Sequence, residues 1–553
     1  MKRFDSYSGG NRVNTRMLTK PQFLSGAGFR AQLPLLALPV LFVISALWTR
    51  AQGGPGWLWF NLDPDYFYLL DALNILNLTT PGHVYHPGTT VQWLAALILR
   101  LAHPATSSDA LSGLALADPE FYLALIAVVF IALNGLALWA LGAVGRRVFG
   151  GLTAAWFLQL APFLSMVVLK HSTHVKPEAL LVLAMLVLAS VAVLSLTPGL
   201  MARQRLSFAV AFGAIAGFGV ATKITAFPVF LLPVFILGMG AGARGRAGAV
   251  LLYGVSALAA LVFFTLPAIG AYDVFFGWMA TLSQGSGAYG GEGPVDGAAY
   301  LQQAFKLFKR PVFHVVFILS IVVLALTARR RPGQGTEAWL LAGIVVSQLA
   351  QVLLVAKQPN AMYMIPSFVL IPLAFVLVWR LGEGLLSRPL KPGVAVLLAA
   401  LVVAQGAAVV RLGLEQADKS LAAQSVDPGR FEACARVYSY AASSRSYALM
   451  LADYVTGGRF AGRLAAQGPG NDFWLEHWWD QSRLVFRGWR GPEDLGQTLA
   501  RYPCVAVRAS HWYVLERLLP QTMPELVFER MCPAGDETLA VSGADCNGRV
   551  KQP

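Results

Sequence analysis

Three carboxylates follow the first long apolar run of the chain, within the stretch FNLDPDYFYLLDALNIL at residues 60–76. Asp63 and Asp65 stand just ahead of an aromatic run, and Asp71 stands farther on among leucines. An aspartate beside a substrate can take a proton from an attacking hydroxyl or amine, so this stretch could supply a general base. A structural alternative exists. Asp63-Pro64 could form a turn with Asp65 as the N-cap of a helix over 66–76, and the surroundings of Asp71 favour a structural or lipid-rim position.

Lysines and histidines occur in three further segments between apolar runs. Lysine binds phosphate as a point charge, so several lysines close to a carboxylate fit a transferase that displaces a lipid-linked phosphate. His171 and His174 could instead cap a loop at the membrane interface. The candidate substrate-binding residues are His86 near the acidic stretch, Lys170, His171, His174, Lys176 and Glu178 in KHSTHVKPE, Lys223 in TKITAFP, and Lys357 and Tyr363 in KQPNAMYMIP.

The sequence predicts no metal-ligand set. His83 and His86 lie near aspartates, yet no His-Glu-x-x-His pattern and no cysteine pairing accompanies them. A divalent cation held by the acidic stretch stays open, and no other cofactor is indicated.

Composition identifies the class of protein. Of 553 residues, 56% are hydrophobic and only 13% are charged, and the mean hydropathy is +0.57. A soluble domain carries about 25% charged residues. The chain is therefore predicted to be a polytopic membrane protein.

Charge indicates orientation rather than nucleic-acid binding. The net charge is +14, whereas residues 412–553 carry nearly equal numbers of acidic and basic side chains. The positive excess therefore lies in the short loops of the membrane part, as the positive-inside rule and contact with anionic lipids would require. The first thirty residues carry six Lys or Arg against one Asp and no cleavage pattern, which predicts a cytoplasmic N-terminal tail.

Apolar runs predict about eleven crossings, with the C-terminus outside. The region 207–240 is predicted to form two tight spans, and 88–102 an amphipathic or re-entrant helix at the outer surface.

The predicted domains are a tail at 1–31, a membrane domain at 32–411 and a soluble domain at 412–553. The membrane domain is predicted to contain an outer catalytic loop at 50–118 and a flexible outer loop at 268–310. The other predicted spans are 32–49, 120–143, 149–169, 178–197, 247–267, 311–328, 337–356, 364–380 and 393–411.

The tail mixes short strand-like runs with helical stretches and predicts one small extracytoplasmic α/β domain. All four cysteines lie in it. An even number confined to one soluble region indicates disulfides in an oxidising compartment. Cys532 and Cys546 are the expected pair because they are close in sequence. Four unrelated thiols are the alternative.

The order of these motifs over residues 30–380 resembles the integral-membrane glycosyltransferases of the GT-C fold, such as protein O-mannosyltransferases and aminoarabinose transferases. The matching elements are an acidic motif followed by aromatics (DPDYFYLLDALNIL), an HPPL-like element (YHPGTT, 85–90), GRRVFG at 145–150, Lys176-Pro177-Glu178, Thr222-Lys223, and MYMIP at 362–366. The sequence departs from the family pattern in three places. Asp-Pro-Asp replaces Asp-Glu, Gly88 replaces the second proline, and Met362 replaces an arginine.

The resemblance implies an inverting sugar transfer at the outer face of a cell inner membrane. A polyprenyl-phosphate sugar would be the donor, and a lipid, a polysaccharide or a protein the acceptor. Asp65 is favoured as the base because it directly precedes the aromatic run, with Asp63 as orienting partner or metal ligand. A transporter or flippase of lipid-linked glycans is the rival, and it would place its charges within the spans near the membrane midplane.

Overall fold

The computed structural model describes residues 32–239, 242–284, 297–330, 335–386, 391–425, 428–439, 441–477, 484–522 and 526–550. The predicted tail at 1–31 and the centre of the predicted loop at 268–310 lie outside these residues. Within them the chain is mostly helical, with one sheet near its C-terminal end.

Eight helices of the described residues are long and apolar enough to cross a membrane. The chain is therefore a multi-pass membrane protein. A 3-10 turn at Leu33–Leu36 extends the first of these helices. Their bounds are Ala37–Gly53, Pro119–Phe149, Pro177–Ser195, Leu200–Thr222, Ala243–Thr265, Pro311–Arg330, Thr336–Val355 and Lys391–Gln424.

The run predicted as a span at 149–169 is broken. It forms two short helices, Leu152–Leu158 and Met166–His171. Pro162 lies in the break, where its missing N–H cannot continue a helix. The Gln159 side chain bonds the break to its neighbours by donating to the carbonyl oxygens of Leu35 at 2.9 Å and Leu138 at 3.2 Å.

The region 207–240 also differs from the two tight spans that were predicted for it. After Leu200–Thr222 the chain forms a 3-10 segment, Ile224–Leu231, and a short helix, Leu232–Gly238, because Pro228 and Pro233 prevent regular helical bonding there. The segments Ala361–Val369 and Ile371–Leu385 meet at a 42° bend and would make a ninth span if counted together. The predicted total of eleven is not confirmed.

Three shorter helices follow the first span: Leu62–Leu76, Thr89–Ala102 and Ser108–Ala117. The helix expected at 88–102 is present, and its 14 residues reach only about 21 Å, less than the roughly 30 Å of a hydrocarbon core. The expected flexible loop at 268–310 is wrong for its described parts, which form the 3-10 turn Leu266–Ala271 and the helices Tyr272–Gln284 and Gly297–Phe308. Apolar residues recur there every three to four positions, as an amphipathic helix requires.

Close packing of two spans depends on glycine. Helices Leu200–Thr222 and Ala243–Thr265 run side by side with Gly213 and Gly217 at the contact. A Cβ at Gly213 would lie 2.5 Å from the Cβ of Ser256, and one at Gly217 would lie 2.5 Å from the carbonyl oxygen of Ala257. Small residues let membrane helices approach this closely, where dispersion contacts stabilise them.

The C-terminal region confirms the predicted α/β architecture. The seven strands are β1 Ala435–Ser439, β2 Asp472–His477, β3 Leu484–Gly488, β4 Gly491–Pro492, β5 Val505–Ala509, β6 Arg530–Ala534 and β7 Glu537–Ser542, in the order β4-β3-β2-β1-β5-β7-β6. Strand β1 pairs in parallel with β2 and β5, and the outer pairings are antiparallel. The helices are Arg445–Val455, Ala461–Gln467, Leu495–Leu499 and Trp512–Thr522, with a 3-10 turn at Pro428–Phe431.

Both cysteine pairs of this domain are joined. The predicted Cys532–Cys546 disulfide is confirmed, and Cys434–Cys504 links the chain just before β1 and β5. The preceding helix continues to Gln424, so the predicted boundary at 411/412 falls inside it.

The C-terminal domain packs on the helix Leu62–Leu76. Asn74 Nδ2 donates to the carbonyl oxygen of Thr456 at 3.0 Å, and the Trp59 N–H donates to Ser443 Oγ at 3.0 Å. Arg463 forms an ion pair with Asp109 nearby. These contacts attach the domain to the segment that carries the acidic motif.

Candidate active site

Asp65 lies in the first turn of the helix Leu62–Leu76 and is 1% exposed. Its Oδ2 atom lies 3.3 Å from Nδ1 of His174, accepts from the Val175 N–H at 3.2 Å, and is 4.0 Å from the Arg50 guanidinium. Asn61 is the N-cap of this helix. The alternative in which Asp65 caps a helix over 66–76 is therefore wrong. Asp63 belongs to the same turn, but its side chain lies outside the described residues.

The surroundings keep Asp65 ionised. Burial alone would raise the pKa of this carboxyl, but His174, Lys176 and Arg50 outweigh burial and lower it to about 2. Burial lowers the pKa of His174, against the opposing effect of Asp65. At neutral pH the pair is thus a carboxylate beside a neutral imidazole.

The second carboxylate oxygen of Asp65 is available. Oδ1 has no hydrogen-bond partner among the described residues. Asp65 lines a small cavity together with Thr49, Arg50, Asn61 and Gln416, among others. One oxygen of the carboxylate is therefore anchored while the other can accept a proton from a bound group.

Lys223 and Glu178 form the second half of the site. Their side chains make a buried ion pair, and the Lys223 ammonium lies 4.6 Å from the ring centroid of Tyr363. Glu178 opens the helix Pro177–Ser195, and Lys223 caps the end of Leu200–Thr222. Three predicted site residues that are distant in sequence are thus brought together.

The YHPGTT segment contacts the turn at Lys223, directly after the helix Leu200–Thr222. Pro87 forms an isolated bridge with Lys223, and the Ile224 N–H donates to the His86 carbonyl oxygen at 3.0 Å. Gly88 has a φ of +73°, and a Cβ there would lie 2.7 Å from the Tyr68 hydroxyl. Glycine at this position therefore permits both the left-handed turn and the approach of Tyr68, whose hydroxyl lies 3.5 Å from Nδ1 of His86.

His171 lies between the two halves. Its ring centroid is 6.5 Å from that of His174, and its Nδ1 atom has no partner among the described residues. Burial lowers the pKa of His171 to about 3, although Glu178 opposes the shift. His171 is therefore neutral at pH 7.

Lys170 and Lys176 add positive charge beside this histidine. Burial, together with the charges of Lys176 and Lys419, lowers the pKa of Lys170. Lys419 comes from the last long helix and also lies 5.8 Å from the ring of Trp59. This local excess of cations favours an anionic group.

Lys357 is the predicted site residue that the structure connects least. Its Nζ is buried without a hydrogen-bond partner among the described residues. It precedes the 3-10 turn Ala361–Met364 that carries Tyr363, but no described ion pair or hydrogen bond joins it to the other lysines.

Asp71 has the structural role that its position favoured. Its Oδ1 accepts from the Gly82 N–H at 2.8 Å and from Asn74 at 3.1 Å, and its Oδ2 accepts from the His83 N–H at 2.9 Å and from Gln92 at 2.9 Å. Both oxygens therefore hold the loop that leads to His86.

Several residues at the site were not predicted. Arg50 lies three residues from the end of the first span, where the orientation predicted from the sequence would leave few basic residues, which is a signal that could have identified it. Thr49, Asn61, Gln416 and Lys419 carry no comparable sequence signal.

Among the described residues, no group of three or more His, Cys, Asp or Glu side chains is arranged to hold a metal ion. His83 and His86 pack edge to face, with ring centroids 5.1 Å apart. Comparison with family models, with curated proteins and with solved structures returns no match to this chain.

Proposed function

We propose that the protein is a membrane glycosyltransferase of the GT-C type. It transfers a sugar from a polyprenyl-phosphate donor to an acceptor at the extracytoplasmic face of the membrane, with inversion, and Asp65 is the general base. One observation carries the proposal. A buried, ionised carboxylate at the lining of a cavity has one oxygen anchored by His174 and Val175 and the other without a hydrogen-bond partner among the described residues, beside an excess of lysines.

Donor binding is assigned to the lysines nearest Asp65. Lys176 lowers the pKa of Asp65, and Lys170 lies close to Lys176 and Lys419. Lys223 is already paired with Glu178, so its charge is largely balanced. The donor phosphate therefore lies nearer Lys170 and Lys176, while the Lys223–Glu178 pair supports the site wall and the polyprenyl chain extends along the membrane helices.

In the proposed reaction the acceptor hydroxyl attacks the anomeric carbon from the side opposite the phosphate. A glycosidic bond forms, the bond from carbon to phosphate oxygen breaks, and polyprenyl phosphate leaves with the electron pair. The acceptor proton passes to Asp65 Oδ1. Lysines stabilise the charge that develops on the leaving phosphate.

A transporter or flippase is less well supported. Glu178 is the second residue of its helix, Lys223 follows the last residue of another, and Arg50 lies three residues from the end of the first. A transport site would place charges near the middle of the spans. The position of these charges at helix ends favours chemistry at the membrane surface.

Donor consumption tests the proposal without a known acceptor. The full chain in lipid nanodiscs is incubated with polyprenyl-phosphate hexoses and pentoses that carry tritium in the sugar, with cell-envelope extract as the acceptor source. We expect polyprenyl phosphate to form with at least one donor, and Asp65→Asn to abolish its formation. Equal product from the parent and this variant, or none from any donor, would overturn the enzyme proposal.

A further inference from the structure

Four residues that line the Asp65 cavity each carry a buried oxygen atom without a hydrogen-bond partner among the described residues. These atoms are Thr49 Oγ1, Asn61 Oδ1, Asp65 Oδ1 and Gln416 Oε1. The four residues are only 1–7% exposed. Leaving a buried polar atom unpaired is costly, so the presence of four residues with such atoms in the lining of one cavity points to a bound group rather than to packing.

The cavity restricts what that group can be. Its volume is about 10 Å³, close to the space that one water-sized group needs. The four unpaired atoms can all accept a hydrogen bond, so the group must donate at least one. The Arg50 guanidinium donates instead to the carbonyl oxygen of Thr173 at 2.8 Å.

Local charge favours a neutral hydroxyl over a cation. Arg50 lies 4.0 Å from the anchored oxygen of Asp65, and Lys176 also acts on this carboxylate. The single negative charge is thus already offset. A divalent ion would require more carboxylate oxygens than one aspartate supplies, and an ammonium group would be repelled by the same cations.

We propose that this cavity is the nucleophile subsite, that the acceptor is an alcohol, that Thr49 binds the attacking hydroxyl, and that Gln416 lines the subsite and accepts from the second hydrogen when water takes the place of the alcohol. The inference rests on the proposed function. The acceptor O–H donates to Asp65 Oδ1, and the Thr49 hydroxyl donates to the acceptor oxygen. Gln416 belongs to the helix that leads into the C-terminal domain, so the subsite is complete only with that helix in place.

Water provides the test because it fits the subsite and needs no identification of the acceptor. A water molecule gives one proton to Asp65 and can donate its second hydrogen to Gln416. Attack by its oxygen on the anomeric carbon yields free sugar and polyprenyl phosphate. The assay is release of tritiated sugar from polyprenyl-phosphate sugars by the full chain in nanodiscs, without extract.

Thr49→Val and Gln416→Met each remove one hydrogen-bonding group at nearly constant volume. We expect the kcat of sugar release to fall roughly three- to tenfold in each, with KM for the donor unchanged, and Thr49→Ser to restore it. Matched controls are Thr197→Val and Gln405→Met, because these residues also carry a buried oxygen without a described partner but do not line the cavity. Apparent melting temperatures establish that each variant is folded.

The outcomes separate the two claims. If Asp65→Asn stops sugar release while Thr49→Val and Gln416→Met match the parent, the subsite is wrong and the proposed function stands. Equal losses in the Thr197 and Gln405 controls would also overturn the subsite. If no donor yields free sugar and none yields polyprenyl phosphate with extract, the proposed function itself fails.

Discussion

Asp65 and Asp71 lie in one helix, Leu62–Leu76, and both are buried, at 1% and 0% exposure. Asp71 accepts from four donors, two on each oxygen. The partners of Asp65 all face one oxygen, the other oxygen has no partner among the described residues, and the residue lines a cavity. Residue type, burial and secondary structure are the same at both positions. Hydrogen-bond saturation is what separates a carboxylate that holds structure from one that is available for chemistry.

The two carboxylates also depend on different parts of the chain. Asp71 is satisfied by residues no more than 21 positions away, whereas Asp65 depends on His174, 109 positions away. Asp71 therefore fixes the local loop that ends at His86. Asp65 requires the assembled bundle, as a site between elements does.

Replacing Asp65 should have the largest effect on the reaction. Asn keeps an oxygen that can accept from His174 and Val175 but cannot take a proton, so we expect kcat to fall by about 10²–10⁴-fold with little change in melting temperature. The measurement is formation of polyprenyl phosphate. Asp118→Asn is the matched control, because Asp118 caps the helix Pro119–Phe149 and Asn caps equally well. Similar rates for Asp65→Asn and the parent would remove the distinction between the two aspartates.

Lys223, like Asp71, already has a partner within the protein, since it pairs with Glu178. Its loss should therefore lower the stability of the fold. Lys223→Met leaves Glu178 as a buried charge without its partner, which typically costs about 3–5 kcal/mol. We expect a clear fall in apparent melting temperature in detergent. The double variant Lys223→Met with Glu178→Gln should recover most of it, because no buried charge is then left unpaired. A stable single variant with weakened donor use would instead assign Lys223 to the phosphate.

Lys176 should behave in the opposite way. Lys176→Met removes one of the positive charges that act on Asp65. A charge-assisted contact is worth about 1.5–3 kcal/mol, so KM for the polyprenyl-phosphate donor should rise roughly tenfold to a hundredfold at unchanged melting temperature. Lys306→Met on the exposed face of Gly297–Phe308 is the control. An unchanged KM would place the donor phosphate elsewhere.

Periodicity and composition were sufficient to predict the long spans, the C-terminal α/β domain and the Cys532–Cys546 pair. These depend on local sequence. The break in the run at 149–169 has a sequence signal in Pro162, whereas the bonds from Gln159 to the carbonyl oxygens of Leu35 and Leu138 could not be predicted. Lys176-Pro177-Glu178 and Lys223 were selected as candidates, but the ion pair between Glu178 and Lys223 was not predicted, because these residues lie 45 positions apart.

The hydrogen-bond partners of Asp65 could not be predicted either. The sequence places Asp63 and Asp65 two positions apart and cannot say which carboxylate meets His174. Thr49 and Gln416 are separated by most of the membrane domain and are ordinary polar residues of apolar helices. Only the fold brings both residues to one cavity.

The smallest expected effect is a difference in pH dependence between the two aspartates. Burial raises the pKa of Asp71 to about 7, although Gly82, Asn74 and His83 donate to it and lower it. In an unfolded chain the pKa of aspartate is about 3.9. The folded state therefore binds more protons than the unfolded state between these values, and the stability contributed by Asp71 falls as the pH rises from about 4 to about 7.

The stability contributed by Asp65 changes with pH in the opposite direction and over a different pH range, because its pKa of about 2 lies below the unfolded value. Its contribution is complete above pH 4 and is lost only as the pH falls towards 2. Melting temperatures measured from pH 5 to pH 8 should thus show the advantage of the parent over Asp71→Asn shrinking with rising pH, while the difference between the parent and Asp65→Asn changes little. An advantage over Asp71→Asn that stays constant from pH 5 to pH 8 would mean that the four donors stabilise the carboxylate more than burial penalises it. Asp71 would then be a second ionised carboxylate, and saturation alone would separate it from Asp65.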